Sequence, residues 1–199
     1  MKKFTPYVSI DLETTGLSHD SDILEIAAIF DDGESPIEEL EKFHALIKYN
    51  TFKHAEMYAI NMNANLIQEI TKGPANSPEA VLMAFNMWLN GRRIRIAGTN
   101  EGKLPRLFVA GKNAAGFDIP MLEKNYQHYV SPSIDPNIVS NFHHRTLDVG
   151  SMYFPHFGEN VTLGKINELT GRAGKVSHRA MDDAMDVVIA IRHLMKNVV

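Results

Sequence analysis

The sequence predicts a single α/β domain, a mixed sheet of about five strands with helices on its faces. Three observations carry this. Three strand-like segments come first, and after them helical and strand-like segments alternate. No repeat, charge run or Pro/Gly-rich linker divides the 199 residues, a length that suits one core. Apolar residues make up 44% of the chain, enough to fill that core without a partner.

The elements follow in order. Tyr7 to Leu12 reads as a short buried strand, Ile23 to Phe30 as a second and Phe43 to Tyr49 as a third. Asp31-Asp32-Gly33 is a turn signal between the last two. Residues around 54–60 and 65–71 lean to helix, and Gly73-Pro74 breaks the chain. Ser77-Pro78 is a helix start, a capping hydroxyl followed by proline at the first helical position, and that helix runs to about Asn90. Arg106 to Ala110 is the fourth strand, Asp118 to Tyr129 a helix, and Ser131 to Asn141 a loop. His143 to Val149 is the last strand and Thr162 to Thr170 a short helix. A Gly/Lys/Arg-rich loop, 171–177, leads into a final helix from about His178 to Asn197.

Several classes fall away. No apolar run reaches the roughly 18 residues of a membrane span, and Met1-Lys2-Lys3-Phe4 lacks a signal-peptide core. The absence of cysteine removes disulfides and thiolate metal sites and fits a cytoplasmic setting. The formal charge of −4 is that of an ordinary soluble enzyme. It is compatible with nucleic-acid chemistry where carboxylates hold cations.

The acids carry the chemistry. Asp11 and Glu13 are two apart at the end of an apolar strand, so both side chains share one face. Two like charges there cost free energy unless a cation lies between them; a fraying strand end with ordinary surface acids reads as well from the pair alone. Asp118 opens a helix, where a capping role is the ordinary expectation. In the last helix a step of about 100° per residue gathers Ala184, Val187, Val188, Ile191, Leu194 and Met195 into one arc. Asp182 then falls opposite the arc and Asp183 at its edge, which selects Asp183 as the functional acid. His178, five residues earlier, sits at the start of that helix.

The segments Asp11-Leu12-Glu13-Thr14-Thr15-Gly16-Leu17, Asn113-Ala114-Ala115-Gly116-Phe117-Asp118 and His178-Arg179-Ala180-Met181-Asp182-Asp183-Ala184 resemble the three motifs of the DEDD exonucleases, in order and over nearly the whole chain. Histidine five before the last aspartate resembles the DEDDh subgroup; the tyrosine subgroup would need Tyr where Arg179 stands. The resemblance implies a ribonuclease H-like fold and 3′–5′ exonuclease activity. It implies that Asp11, Glu13, Asp118 and Asp183 hold two Mg²⁺ or Mn²⁺ ions, Asp118 through water, with His178 as general base. Oxygen-only ligation suits such hard cations.

It further implies substrate contacts at Leu12, Thr14, Thr15, Gly16, Leu17, Asn61, Asn113, Phe117 and His178. Backbone amides of Thr14 to Gly16 would lie beside the terminal nucleotide, Leu17 would wedge against its base, and Tyr58, Asn61 and Asn63 would face the 3′ end. Phe117 reads more readily as core. Lys112, Lys165, Arg172, Lys175 and Arg179 are basic residues near the motifs. Arg92, Arg93 and Arg95, with Lys103 and Arg106, form a separate cluster in what reads as an insertion over 91–106, either a solvated hairpin or a clamp on duplex or partner. His143 and His144 near Asp148 would point to opposite faces of a strand and so not share an ion.

The expected substrate is DNA with a free 3′ end, single-stranded or frayed, in proofreading or repair, with nucleoside 5′-monophosphates released. RNA 3′ ends or short oligoribonucleotides are the alternative, since the motifs do not read the 2′-hydroxyl. A polymerase or a second copy of the chain is the protein partner left open. A silent docking module would not need all four acids and His178, and a generic metallophosphoesterase would need histidine ligands.

Overall fold

The computed structural model describes residues 4–74, 76–98, 102–133, 137–172 and 179–197. Strands β1 (Tyr7–Thr14), β2 (Ile23–Asp31), β3 (Glu41–Leu46), β4 (Leu107–Gly111) and β5 (Phe142–Asp148) form one sheet in the order β3-β2-β1-β4-β5. The first three are antiparallel, while β4 runs parallel to β1 and β5 parallel to β4. Helices α1 (Met57–Met62), α2 (Ala64–Lys72) and α3 (Pro78–Ala97) precede β4, and α4 (Asp118–Tyr129) links β4 to β5. After β5 come α5 (Val149–Met152), α6 (Phe154–Phe157), α7 (Leu163–Leu169) and α8 (Ala180–Asn197). The expected mixed five-stranded sheet is present, in a ribonuclease H-like arrangement.

Every residue of β2 is buried, the pattern of a central strand covered on both faces. Ile26, Ala28 and Phe30 join the core under α3 and α4, and Ala27 and Ile29 the core under α8. The same alternation splits β1: Val8, Ile10 and Leu12 enter the first core, so Tyr7, Ser9, Asp11 and Glu13 face α8. The Ser9 hydroxyl donates to Ala184 O at 2.8 Å and fixes α8 across the strand. Buried Ala180, Ala184 and Ala190 let the helix approach closely.

Some expectations need correction. β3 ends at Leu46, and the Tyr49 hydroxyl, expected in the strand, turns back to donate to Ile23 O at 2.9 Å. Helix α3 does not stop near Asn90 but runs to Ala97, so the 91–106 segment begins as helix rather than hairpin. Gly91 costs a helix only about 1 kcal/mol, and the arginines beyond it find partners. Arg92 and Arg95 pair with Glu41, Arg95 also reaches Asp32 at 3.2 Å, and Arg93 donates to Pro105 O at 2.8 Å and Asn141 Oδ1 at 2.5 Å. Met195, expected in the core, is 46% exposed.

Candidate active site

Three of the four expected acids meet where β1 ends under the start of α8. Asp11, Glu13 and Asp183 each place a carboxylate oxygen within 4.8 Å of the others. Asp182 is exposed, and Asp183 is the neighbour that the helix turns toward Asp11 and Glu13. Asp118 comes from the opposite layer as the first residue of α4. It makes no side-chain cap; its buried carboxylate accepts the backbone N–H of Leu12 and its own N–H. The capping expectation is thus replaced by a tie between α4 and β1.

The charges at this site are unbalanced. Burial pushes Asp11 well above the usual carboxylate range, and the charges of Asp118, Asp183, Glu13 and Glu25 push it further. Burial raises Glu13 to about 7 against a hydrogen bond from Asn63, with Asp183 and Glu25 adding to the rise. Burial also raises Asp118 to about 7, outweighing its two backbone N–H bonds, and Glu13 contributes. Arg179, beside the cluster, offsets the rise at Glu13 only in part, because its guanidinium is held by Glu25 at 3.1 Å and Glu69 at 3.0 Å. A set of oxygen donors this crowded fits a hard divalent cation, which would reverse the sign of each of these shifts.

Glu25, which sequence reasoning read only as part of an apolar strand, lies directly across the β1–β2 ladder from Glu13. Its buried carboxylate accepts from His44 Nε2 at 2.6 Å, from Arg179 and from the Ala180 N–H at 3.2 Å. Burial alone would raise it, yet these bonds hold it below its ordinary value. It thereby anchors the first residue of α8, the helix that delivers Asp183.

The loop after β1 is held from within. Thr14 Oγ1 donates to Gly16 O at 2.7 Å, and Thr15 Oγ1 donates to His54 O at 2.5 Å while accepting the Asp22 N–H. The Thr15 N–H donates to Asp22 O at 2.9 Å, so it is not the open amide expected beside a substrate. Glu56 accepts the N–H groups of Leu17 and Ser18 at 3.0 and 3.2 Å, a role missed in the sequence. A Cβ at Gly16 would come within 2.6 Å of Ser21 Oγ and 2.8 Å of Glu56 Oε1, so a side chain there would push these groups aside. Leu17 is 69% exposed beside Met57 (76%) and Tyr58 (70%), an apolar rim next to the acids. Leu12, by contrast, is buried in the core, and only its backbone reaches the site.

Asn61 is exposed on α1, while Asn63 is buried and donates to Thr14 O at 3.1 Å. Asn113 adopts φ 63°, and its N–H donates to Asp148 Oδ2 at 2.6 Å, which holds the loop leading to Asp118. Phe117 packs against the core. The basic residues expected near substrate are engaged: Lys112 with Asn160 (2.7 Å), Lys165 with Glu159 (2.9 Å), Arg172 with Asp186 (2.7 Å), and Arg179 as above. His178 and Lys175 lie outside the described residues. His143 and His144 do not diverge as expected, since their ring centroids are 4.2 Å apart.

Residues 8–101 match the family model for RNase T, described as an exonuclease. The match spans 94 of the 199 residues and covers Asp11 and Glu13, but neither Asp118 nor Asp183. The cell-death related nuclease CRN-4 superposes with a TM-score of 0.63 at 15% identity, over 98% of this chain and 65% of that one. Exonuclease I of E. coli, in a zinc-bound complex with single-stranded DNA, superposes with a TM-score of 0.68 at 15% identity, over 98% of this chain and 41% of that one. The same enzyme with a dA16 oligonucleotide gives 0.67 at 15% identity, over 98% and 41% of the two chains. The chain thus spans less than two thirds of the length of each of these proteins. No curated protein matches the sequence.

Proposed function

We propose that the protein is a DEDDh-type 3′–5′ exonuclease that releases nucleoside 5′-monophosphates from the 3′ end of single-stranded or frayed DNA, in proofreading or repair. The observation that carries the activity is the convergence of Asp11, Glu13 and Asp183 within 4.8 Å, with buried Asp118 alongside. The preference for DNA draws support from the superposition on exonuclease I bound to single-stranded DNA.

Two Mg²⁺ or Mn²⁺ ions would be held by Asp11, Glu13 and Asp183, with Asp118 acting through water, and would stabilise charge on the scissile phosphate and lower the pKa of the attacking water. The chain's own residues do the rest. His178 accepts the proton of that water, being largely neutral at pH 7 when unperturbed. Leu17, with Met57 and Tyr58, offers an apolar rim against which the terminal base rests. Gly16 lets the backbone approach the nucleotide, and Asn61 and Asn113 present polar groups at the edge.

The test is a digestion of end-labelled DNA and RNA strands, single and duplex, with Mg²⁺, Mn²⁺ or chelator. A metal-dependent ladder receding from the 3′ end of DNA is expected. Preference for RNA would move the substrate assignment, and absence of cleavage with either metal would overturn the activity. His178→Ala should lose most of the rate while still binding metal; an unchanged pH–rate profile in that variant would remove the general-base role.

A further inference from the structure

The basic residues that the sequence places near the acids are mostly engaged by internal partners, and so are Arg92, Arg93 and Arg95. Arg106 differs. It is exposed, and among the described residues its guanidinium meets no carboxylate. Arg106 lines a cleft of about 290 Å³ at the open edge of the sheet, with Ala115, Ile119, His143, His144 and Thr146.

The cleft owes its chemistry to an irregularity in β5. Leu107 pairs with Phe142 but Val109 pairs with Thr146, so a two-residue step on β4 is met by a four-residue step on β5. This bulge breaks the alternation that would have separated the two histidines. Phe108 and His143 stack with centroids 4.2 Å apart at 26°, and His143 and His144 lie 4.2 Å apart at 31°. The Arg145 N–H donates to His143 Nδ1 at 3.1 Å and fixes the middle ring. The result is a run of three rings whose outer member, His144, is exposed. Its open face can take one more ring.

Stacking rings beside an uncompensated guanidinium are the two halves of single-strand recognition, one for bases and one for phosphates. A polypeptide strand is a poor occupant, because a bulged edge strand does not offer an unbroken ladder. The loop and helix that carry Asp118 also wall the cleft, through Ala115, three residues before that acid, and Ile119, the residue after it.

We infer that this cleft binds the single-stranded nucleic acid on the 5′ side of the nucleotide being removed, with a base stacked on His144 and a phosphate on Arg106. This rests on the exonuclease reading. The cleft sets how the enzyme grips a long strand and has no part in the cleavage itself.

Two arms test it with the full chain. In the first, turnover of an oligothymidylate long enough to fill the cleft is compared with turnover of a thymidine dinucleotide, for wild type, His144→Ala and Arg106→Gln. KM for the long strand should rise about tenfold in each variant, with KM for the dinucleotide and both kcat values unchanged. An equal change on both substrates, or none on either, would overturn the inference. The second arm needs no turnover: the anisotropy of a labelled oligothymidylate is measured against each variant in an Asp11→Asn background. Weaker binding in both variants, with the salt slope of Arg106→Gln smaller by about one, is expected. That result without any cleavage by wild type would sink the exonuclease reading and leave the cleft standing; unchanged binding would sink the cleft.

Discussion

Helix α8 meets buried carboxylates at both of its ends and treats them in opposite ways. Near its end, Arg192 forks onto Asp31, donating at 2.9 and 2.5 Å, and the Tyr7 hydroxyl adds a third bond at 2.8 Å. At its start the helix brings another acid, Asp183, to Asp11 and Glu13. Both places lie on the same face of the same two strands. One is closed by a forked arginine, and the other crowds three carboxylates within 4.8 Å of one another. Crowding buried like charges is costly, so the second arrangement suits a site that receives a cation from outside. The ladder repeats the lesson at shorter range: Glu13 and Glu25 face each other, one raised to about 7 by burial, the other held low by His44, Arg179 and Ala180.

The comparison is broken most severely at Asp11. Asp11→Asn should cut turnover about a thousandfold, some 4 kcal/mol of lost transition-state stabilisation, while the metal-free protein becomes more stable at pH 8. Normal turnover by this variant would remove the acids from the mechanism. At the other end of the helix the effects should reverse. Arg192→Met leaves Asp31 buried without its cation, held only by the Tyr7 hydroxyl and the Gly33 N–H, at a cost of about 3 kcal/mol and roughly 10 °C in Tm. Turnover per folded molecule should hold. A fall in metal affinity there would mean that the two ends are coupled.

The pH dependence separates the ends without mutation. Glu13 and Asp118 ionise near their ordinary values of 4.5 and 3.8 in the unfolded chain but near 7 in the folded one. The folded state therefore holds these protons more tightly, and its stability falls as pH rises from about 4 through 7. Glu25, held low, acts oppositely, and its contribution is lost only as pH drops through the carboxylate range. Thermal melts of metal-free protein should show Tm falling between pH 5 and 8, with saturating Mn²⁺ removing the slope; a flat metal-free profile would contradict the raised values. The smallest effect is expected at Glu25→Gln. It weakens the anchor of α8 and should lower kcat about tenfold with little change in KM. Rescue by Glu25→Asp would mark a positioning role, and equal losses in kcat and Tm for both variants would mark a merely structural one.

Much of this was legible in the chain. The strand period put Asp11 and Glu13 on one shared face and the helix period put Asp183 at the edge of the buried arc, while surface acids read as well from the pair alone; the three motifs in order pointed to a site. The five strands followed from short apolar segments between turn residues. Glu25 was not legible, because in a strand buried on both faces alternation says nothing about surroundings. Its donors Arg179 and Ala180 also lie 154 and 155 residues away. Helices α5 and α6, four residues each, are too short to show a period. The basic residues showed their charge but not their partners, so Arg92 and Arg172 looked available when Glu41 and Asp186 already held them. The bulge that stacks His143 on His144 depends on pairing with β4, which no local pattern records.

The central claim is that the acid cluster at the start of α8 is a cation site. Mn²⁺ binding to the nucleic-acid-free protein, followed by electron paramagnetic resonance, tests it most directly, with Asp11→Asn and Arg192→Met as paired controls. Saturable binding in wild type and Arg192→Met, lost in Asp11→Asn, is the expected result. Binding that persists in Asp11→Asn, or that fails in folded wild type, would contradict it.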